Sequence, residues 1–177
     1  MATLNDISLV AQVAVFGNKR AFDELVRRYQ LPVRKFFLNQ TLGDSQLSDD
    51  LAQDTFIKAY TNIASFRGLA SFHTWIMRIA YNVYYDYIRR HRLTENIDVV
   101  AQRGAGENST LQMDLYAALA LLKPDERSCI TLQLIDGYDI ASIVKITGLK
   151  EGTVKSHLSR GKDKMATYLR QNGYDRR

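Results

Sequence analysis

Apolar residues along the chain recur at spacings of three and four rather than two. That period collects them on one face of an α-helix. The segment AFDELVRRYQLPVRKFF places Phe22, Leu25, Val26 and Tyr29 in such a pattern, which predicts a helical run over 7–38 that Pro32 kinks or splits. SDDLAQDTFIKAYTNI predicts a second helix with Leu51, Phe56, Ala59 and Ile63 inward. Ser48 is its expected N-cap, and Asp49 and Asp50 fall in a first turn where the helix dipole favours anions. Gly68 interrupts the chain, and a long third helix covers SFHTWIMRIAYNVYYDYIRRHR. DLYAALALL is helical, Pro124 opens the helix after it with Asp125 and Glu126, and Gly137 closes that one. Between the two groups, residues 93–112 include GAGENST, which is small, polar and without period. No alternating β-branched runs occur, so the pattern predicts an all-α chain. It is read as two small helical domains, 1–92 and 113–177, joined by a flexible linker over 93–112.

The third helix repays a closer reading, because it mixes aromatic rings with arginines. At 100 degrees per residue, Phe72, Ile76, Ile79, Val83 and Tyr87 share one face, and Met77, Tyr81, Tyr84 and Ile88 share a second. Both faces are apolar enough to pack. Arg78, Asn82, Tyr85, Arg89 and Arg92 form a third stripe, left for a partner. A membrane-surface helix needs one broad apolar face against a basic one, and this layout does not match it. Tyr85 stands out as the tyrosine on the stripe.

GYDIASIVKITGLKEGTVKSHLSRGKDKM has the layout of a helix-turn-helix. Asp139 is the expected N-cap, and Ile140, Ile143, Val144 and Thr147 the inner face. Gly148 sits where the turn calls for a left-handed backbone. Val154, Leu158 and Met165 turn the second helix inward, leaving Lys155, Ser156, Ser159, Arg160 and Lys162 outward. Such donors suit phosphates and base edges in a major groove.

Charge sharpens this. The net charge is only +5, but it is blocked. Residues 67–92 and 145–177 are strongly basic, while 43–66 and 93–144 are acidic. Two separated basic blocks suggest two footprints on one polyanion. The single cysteine, Cys129, rules out an internal disulfide framework and reads as a small core residue. His73, His91 and His157 are scattered without metal spacing, no Gly-rich phosphate loop is present, and no apolar run is long enough to insert in a membrane. The start of the chain does not look like a secretory signal, so a cytoplasmic setting is expected. No cofactor and no metal are expected.

Two motif sets then resemble one family. GLKEGTVKSHLSRGKDKM, preceded by LKPDERSCITLQLIDGYDI, resembles the region-four domain of bacterial sigma factors of the extracytoplasmic-function group. Val144 and Thr147 depart from that pattern, where alanine and leucine are usual, and the domain alone also resembles that of LuxR-type regulators. The second set separates the two. FRGLASFHTWIMRIAYNVYYDYIRRHR matches the promoter-opening segment of the same sigma group at Phe66, Gly68, Phe72, Trp75, Ile79, Ala80, Asn82, Asp86, Arg89 and Arg90. DDLAQDTFIKAY resembles the helix that binds the clamp of RNA polymerase. The motifs come in the family's order and cover about residues 7–170.

The resemblance implies a promoter-specificity subunit without catalysis of its own, which binds core RNA polymerase and promoter DNA and is restrained by an anti-sigma factor. It implies polymerase contacts at Asp50, Gln53, Asp54 and Phe56. It implies minus-ten contacts at Phe66, Arg67, Gly68, Ser71, Phe72, Trp75, Arg78, Asn82, Tyr85, Arg89 and Arg90. Minus-thirty-five contacts follow at Thr153, Lys155, Ser156, His157, Ser159, Arg160 and Lys164. An unstacked base costs a few kcal/mol, which a stacking pocket offsets; Phe66 and Phe72 suit either that pocket or the core. A plain DNA-binding regulator with a helical sensor domain is the alternative, and it would have no use for DDLAQD.

Overall fold

The computed structural model describes residues 4–94 and 110–174. Most of the expected linker, and the side chain of Arg92, therefore lie outside the described residues. Eight α-helices are formed among those described, with no strand.

The first expected helical run is two helices, α1 (Leu4–Phe16) and α2 (Lys19–Gln40). Gly17 takes a left-handed φ of 61° between them. Asn18 caps α2, its side chain accepting from the Ala21 N–H at 3.3 Å. Contrary to expectation, α2 runs unbroken through Pro32. Proline removes one helical hydrogen bond, but this turn carries exposed Arg28 and Leu31, where water can satisfy the orphaned carbonyl.

The cap of α3 (Ser45–Thr61) is also corrected. Asp44, not Ser48, accepts from the Leu47 N–H at 3.0 Å. Ser48 is buried one turn inside, donating to the Asp44 carbonyl at 2.6 Å. A short 3-10 turn (Ile63–Ser65) and a loop follow, then α4 (Phe72–Thr94). Helices α1 to α4 pack around Leu25, Val33, Phe36, Phe37, Phe72 and Ile76, all fully buried.

The second group is α5 (Thr110–Ala120), α6 (Pro124–Ile130), α7 (Ile140–Thr147) and α8 (Glu151–Gln171). One π-helical turn, Thr131–Ile135, extends α6 before Gly137 reverses the chain at φ 78°. Leu119, Ile130, Leu132, Ile143, Ile146 and Val154 fill this core. Asp139 caps α7 as expected, accepting from the Ser142 N–H at 2.8 Å, and Gly148 takes φ 72° in the turn. Ile146 rather than Val144 supplies the second buried position of α7. The two groups touch: α7 packs on α4, and α6 reaches the end of α2.

Candidate nucleic-acid interface

Three surfaces carry the chemistry expected from the sequence. The first is the outer face of α8. Thr153, Lys155, Ser156, Ser159 and Arg160 are exposed and His157 is half-buried, because Val154, Leu158 and Gly161 face the core. Lys155 pairs with Glu151 one turn back at 2.5 Å, which orients its ammonium along the helix. Arg160 lies 3.2 Å from the His157 ring.

Lys164 is placed differently from Lys155. Its ammonium bonds the Glu126 carboxylate at 2.6 Å, and Glu126 is only 2 % exposed. Arg160 approaches the same carboxylate at 3.5 Å. Glu126 also accepts from the Lys123 N–H at 3.1 Å, closing the cap of α6. Lys164 thus fastens α8 to α6. The sequence marks Glu126 as a first-turn acid; nothing in its pattern shows that two cations of a distant helix converge on it.

Burial acts to raise the Glu126 carboxyl pKa, but Lys164, the Lys123 amide and Arg160 outweigh it, and the net shift is downward. A carboxyl held low when folded contributes stability above its unfolded pKa and loses it as pH falls through the folded value. Glu126→Gln should therefore lower the melting temperature near neutral pH. It should also flatten the acid limb that wild type shows below about pH 4.5. Parallel melting curves for the two proteins down to pH 3 would contradict this.

The second surface is the loop before α4 and the stripe along it. Ser71 caps α4, accepting from the Thr74 N–H at 3.0 Å, so its hydroxyl is already engaged. Phe66, Phe72 and Trp75 form a three-ring cluster with centroids 5.3 to 5.6 Å apart. Phe72 is wholly buried, so it can only support such a pocket from beneath, while Phe66 and Trp75 are half-buried. Arg67 and Gly68 are exposed at the loop tip, with Gly68 at φ 70°. On α4 itself, Arg78, Asn82, Arg89 and Arg90 are exposed. Asp86 holds Lys58 at 3.4 Å and Arg89 at 3.0 Å, so an acid organises this stripe.

Tyr85 does not fit the expectation. Its ring packs against Tyr81 at 4.5 Å, and its hydroxyl is buried without a hydrogen-bond partner. The wheel angle is right, but the neighbouring ring reaches across and draws Tyr85 inward.

The third surface is α3. Asp50, Gln53 and Asp54 are exposed, and Phe56 is half-buried against the core. Asp49 instead binds Arg34 at 2.6 Å. Ile57, 56 % exposed, lies one turn on from Asp54 and Gln53. The apolar pattern leaves Ile57 out of the inward stripe of Leu51, Phe56, Ala59 and Ile63 but assigns it no partner. An apolar residue beside paired acids suits a protein partner and would repel DNA.

No group of three or more His, Cys, Asp or Glu side chains that could hold a metal occurs among the described residues, and no described helix is long and apolar enough to cross a membrane. Residues 25–94 match the family model of Sigma-70 region 2, and residues 112–165 match that of Sigma-70, region 4. The chain is 32% identical over 178 residues to the ECF RNA polymerase sigma-E factor of Haemophilus influenzae, covering 90% of this chain and 93% of that one. It is 31% identical over 172 residues to the ECF RNA polymerase sigma factor SigW of Bacillus subtilis, covering 87% and 91%. In structure it is similar to the sigma factor RpoE of Bartonella quintana in complex with the anti-sigma factor NepR. The TM-score is 0.72 at 26% identity, covering 84% of this chain and 96% of that one. It matches CnrH in complex with the cytosolic domain of CnrY equally well, with TM-score 0.72, 25% identity, and coverage of 96% and 99%.

Proposed function

The chain belongs to the extracytoplasmic-function RNA polymerase sigma factors, and from that premise we propose how its surfaces divide the work of promoter-specific transcription initiation. It acts in the cytoplasm with core polymerase and performs no catalysis itself. Residues 1–92 form the polymerase-binding and minus-ten module, 93–112 the connector, and 113–177 the minus-thirty-five reader. The observation that carries this division is the pairing of an acidic, partly apolar α3 face with two basic faces on α4 and α8.

On α3, Asp50, Gln53, Asp54, Phe56 and Ile57 meet the polymerase clamp. The Phe66–Trp75 cluster, with Arg67 and Gly68 at its mouth, receives an unstacked base of the minus-ten element. Arg78, Asn82, Arg89 and Arg90 hold the adjoining strand. Stacking on an aromatic is worth about 1–3 kcal/mol per base, enough to offset the cost of leaving the stack. Ser71 and Phe72 support that pocket, and Tyr85 stiffens α4. On α8, Thr153, Lys155, Ser156, His157, Ser159 and Arg160 face the minus-thirty-five duplex, while Lys164 holds α8 on α6. An anti-sigma protein is a further partner, since the similar sigma factor RpoE of Bartonella quintana is seen in complex with one.

Core polymerase plus this chain should give permanganate-reactive thymines at the minus-ten element of a cognate promoter; a holoenzyme that binds but leaves the duplex closed would sink the assignment. Lys155→Ala should weaken minus-thirty-five binding and reduce the slope of log affinity against log salt by about one unit, because one phosphate contact is lost. Arg160→Ala should do the same. An unchanged slope with relaxed base preference would mean that the side chain reads a base edge instead.

A further inference from the structure

The two helical groups are held together by contacts that promoter binding does not use. Gln40, the last residue of α2, is 1% exposed and bonds three residues of the other group. Its amide donates to Thr131 Oγ1 at 2.8 Å and accepts from Ser128 Oγ at 3.1 Å. Its carbonyl accepts from Arg127 Nη1 at 2.8 Å. The Tyr116 ring covers Gly43, where a Cβ would stand 2.8 Å from it. Tyr138 lies on His73 with ring centroids 5.4 Å apart.

This closed arrangement cannot span a promoter. Elements centred near minus ten and minus thirty-five are separated by about 25 base pairs, or roughly 80 Å of duplex. Two domains of this size in contact place their DNA faces within a few tens of Å. They must separate for both elements to be held.

One side chain in the contact opposes closure. Asp136 lies in a crevice lined by Leu31, Pro32 and Lys35 of α2, His73 and Met77 of α4, and Ile135. Its Oδ2 is buried with no hydrogen-bond partner, as is the Tyr138 hydroxyl beside it. The titratable groups around it are Lys35 and Tyr29 from α2, His73 from α4, and Tyr138 of its own segment. Lys35 is exposed and does not form an ion pair with Asp136 among the described residues. An ionised carboxylate must therefore lose water when the domains close and receives little in return.

We propose that Asp136 is the release element of this closed state: its ionised carboxylate biases the chain toward the open form in which both domains can reach DNA. The contact is a property of the chain alone, while the meaning of opening rests on the sigma-factor function. Burial pushes the Asp136 carboxyl up to about 6 against an ordinary 3.8, with Lys35 pulling weakly the other way. Closure thus takes up a proton between those values, so the closed state weakens as pH rises from about 3.8 to about 6 and is weakest above it. His73 works in opposition: burial lowers its pKa from 6.5, so its protonation on acidification disfavours closure.

The test uses the full chain with a dye pair at Ala64→Cys and Asn172→Cys, both exposed positions. The native Cys129 is fully buried and will not compete for label. Energy transfer read from about pH 4 to 8 should fall as wild type opens on the way up to about pH 6 and then level off. Asp136→Asn should shift the equilibrium toward closed on the order of tenfold at pH 7.5, a discounted share of the pKa change. It should leave only the opposite slope of His73. Gln40→Ala should be open at every pH. Lys35→Gln, an exposed change, removes the one cation that favours the Asp136 charge in the closed form, so it should leave the chain more open than wild type above about pH 6 and decides the matter if Asp136→Asn does not fold. A wild type open at every pH, an Asp136→Asn protein no more closed than wild type, or a Lys35→Gln protein no more open than wild type would each overturn the proposal. Because no polymerase is added, failure here is distinguishable from failure of the sigma-factor assignment.

Discussion

Reversing Asp50 and Asp54 together to arginine is expected to remove this protein from core polymerase while leaving its fold and its duplex binding intact. Both side chains are exposed and, among the described residues, form no ion pair within the chain. The buried positions of the helix are Ser48, Leu51, Thr55 and Ala59, on its other side. The melting temperature should therefore move little. At an interface, facing a cationic partner, two reversed charges replace attraction with repulsion. That should cost at least about 2 kcal/mol, or roughly 30-fold in affinity, and it grows at low salt. Asp49→Arg behaves differently, since Asp49 holds Arg34 and its loss is felt inside the molecule. Co-elution with polymerase and anisotropy on minus-thirty-five duplex, measured on the same preparations, decide the point. If the double variant still elutes with polymerase, α3 is not the docking helix. A plain DNA-binding regulator would show no effect on either measurement.

Gly161→Ala is expected to produce the largest stability loss of any one-carbon change in α8. In a free helix this substitution gains about 1 kcal/mol, because alanine is the better helix former. Here the added Cβ would lie 2.5 Å from Ile130 Cγ1 and 3.0 Å from Cδ1. Ile130 is wholly buried at the end of α6, so its side chain can yield only by displacing its neighbours. Overpacking of this kind costs about 1–3 kcal/mol, so the net change is destabilising. Because α8 carries the face proposed for the minus-thirty-five duplex, affinity for that duplex should fall with the fraction folded and recover on cooling. A melting temperature at or above wild type would show that α6 and α8 shift apart at little cost. Gly152→Ala, where a Cβ meets nothing within 4 Å, serves as the control and should be neutral or stabilising.

The glycine pair illustrates where the sequence could and could not be read. Gly148 was legible because a turn between two periodic segments calls for a left-handed residue, and it has a positive φ; Gly68 was legible only as a break in the chain. Gly161 was not legible, because its reason is a neighbour from another helix. The same division runs through the site. The exposed faces of α3, α4 and α8 follow from helical period, and Asp50, Asp54, Arg78, Asn82, Lys155 and Ser159 lie where period placed them. Tyr85 shares the period of Arg78 and Asn82, yet Tyr81 draws its ring inward. Lys164 and Lys155 look alike in sequence, and a buried Glu126 separates their roles. Ser48 was a plausible cap by composition, but Asp44 lay one turn earlier with a better acceptor. Pro32 was a plausible break, but one lost hydrogen bond is small against a helix packed along Val33, Phe36 and Phe37.

By itself the sequence determined most of the helices, their grouping on either side of a polar segment, the cap at Asp139, the helix opening at Pro124, and the family. Those rest on local period, on backbone preferences of Gly and Pro, and on motifs contiguous along the chain. Only the tertiary structure decided that Phe72 is core, that Lys164 is a tether, and that Gln40 and Tyr116 close the two groups on each other. It alone placed Asp136 in a crevice built from α2 and α4. Burial and pairing depend on atoms that are distant in sequence and adjacent in space, and no local pattern encodes which residues those are.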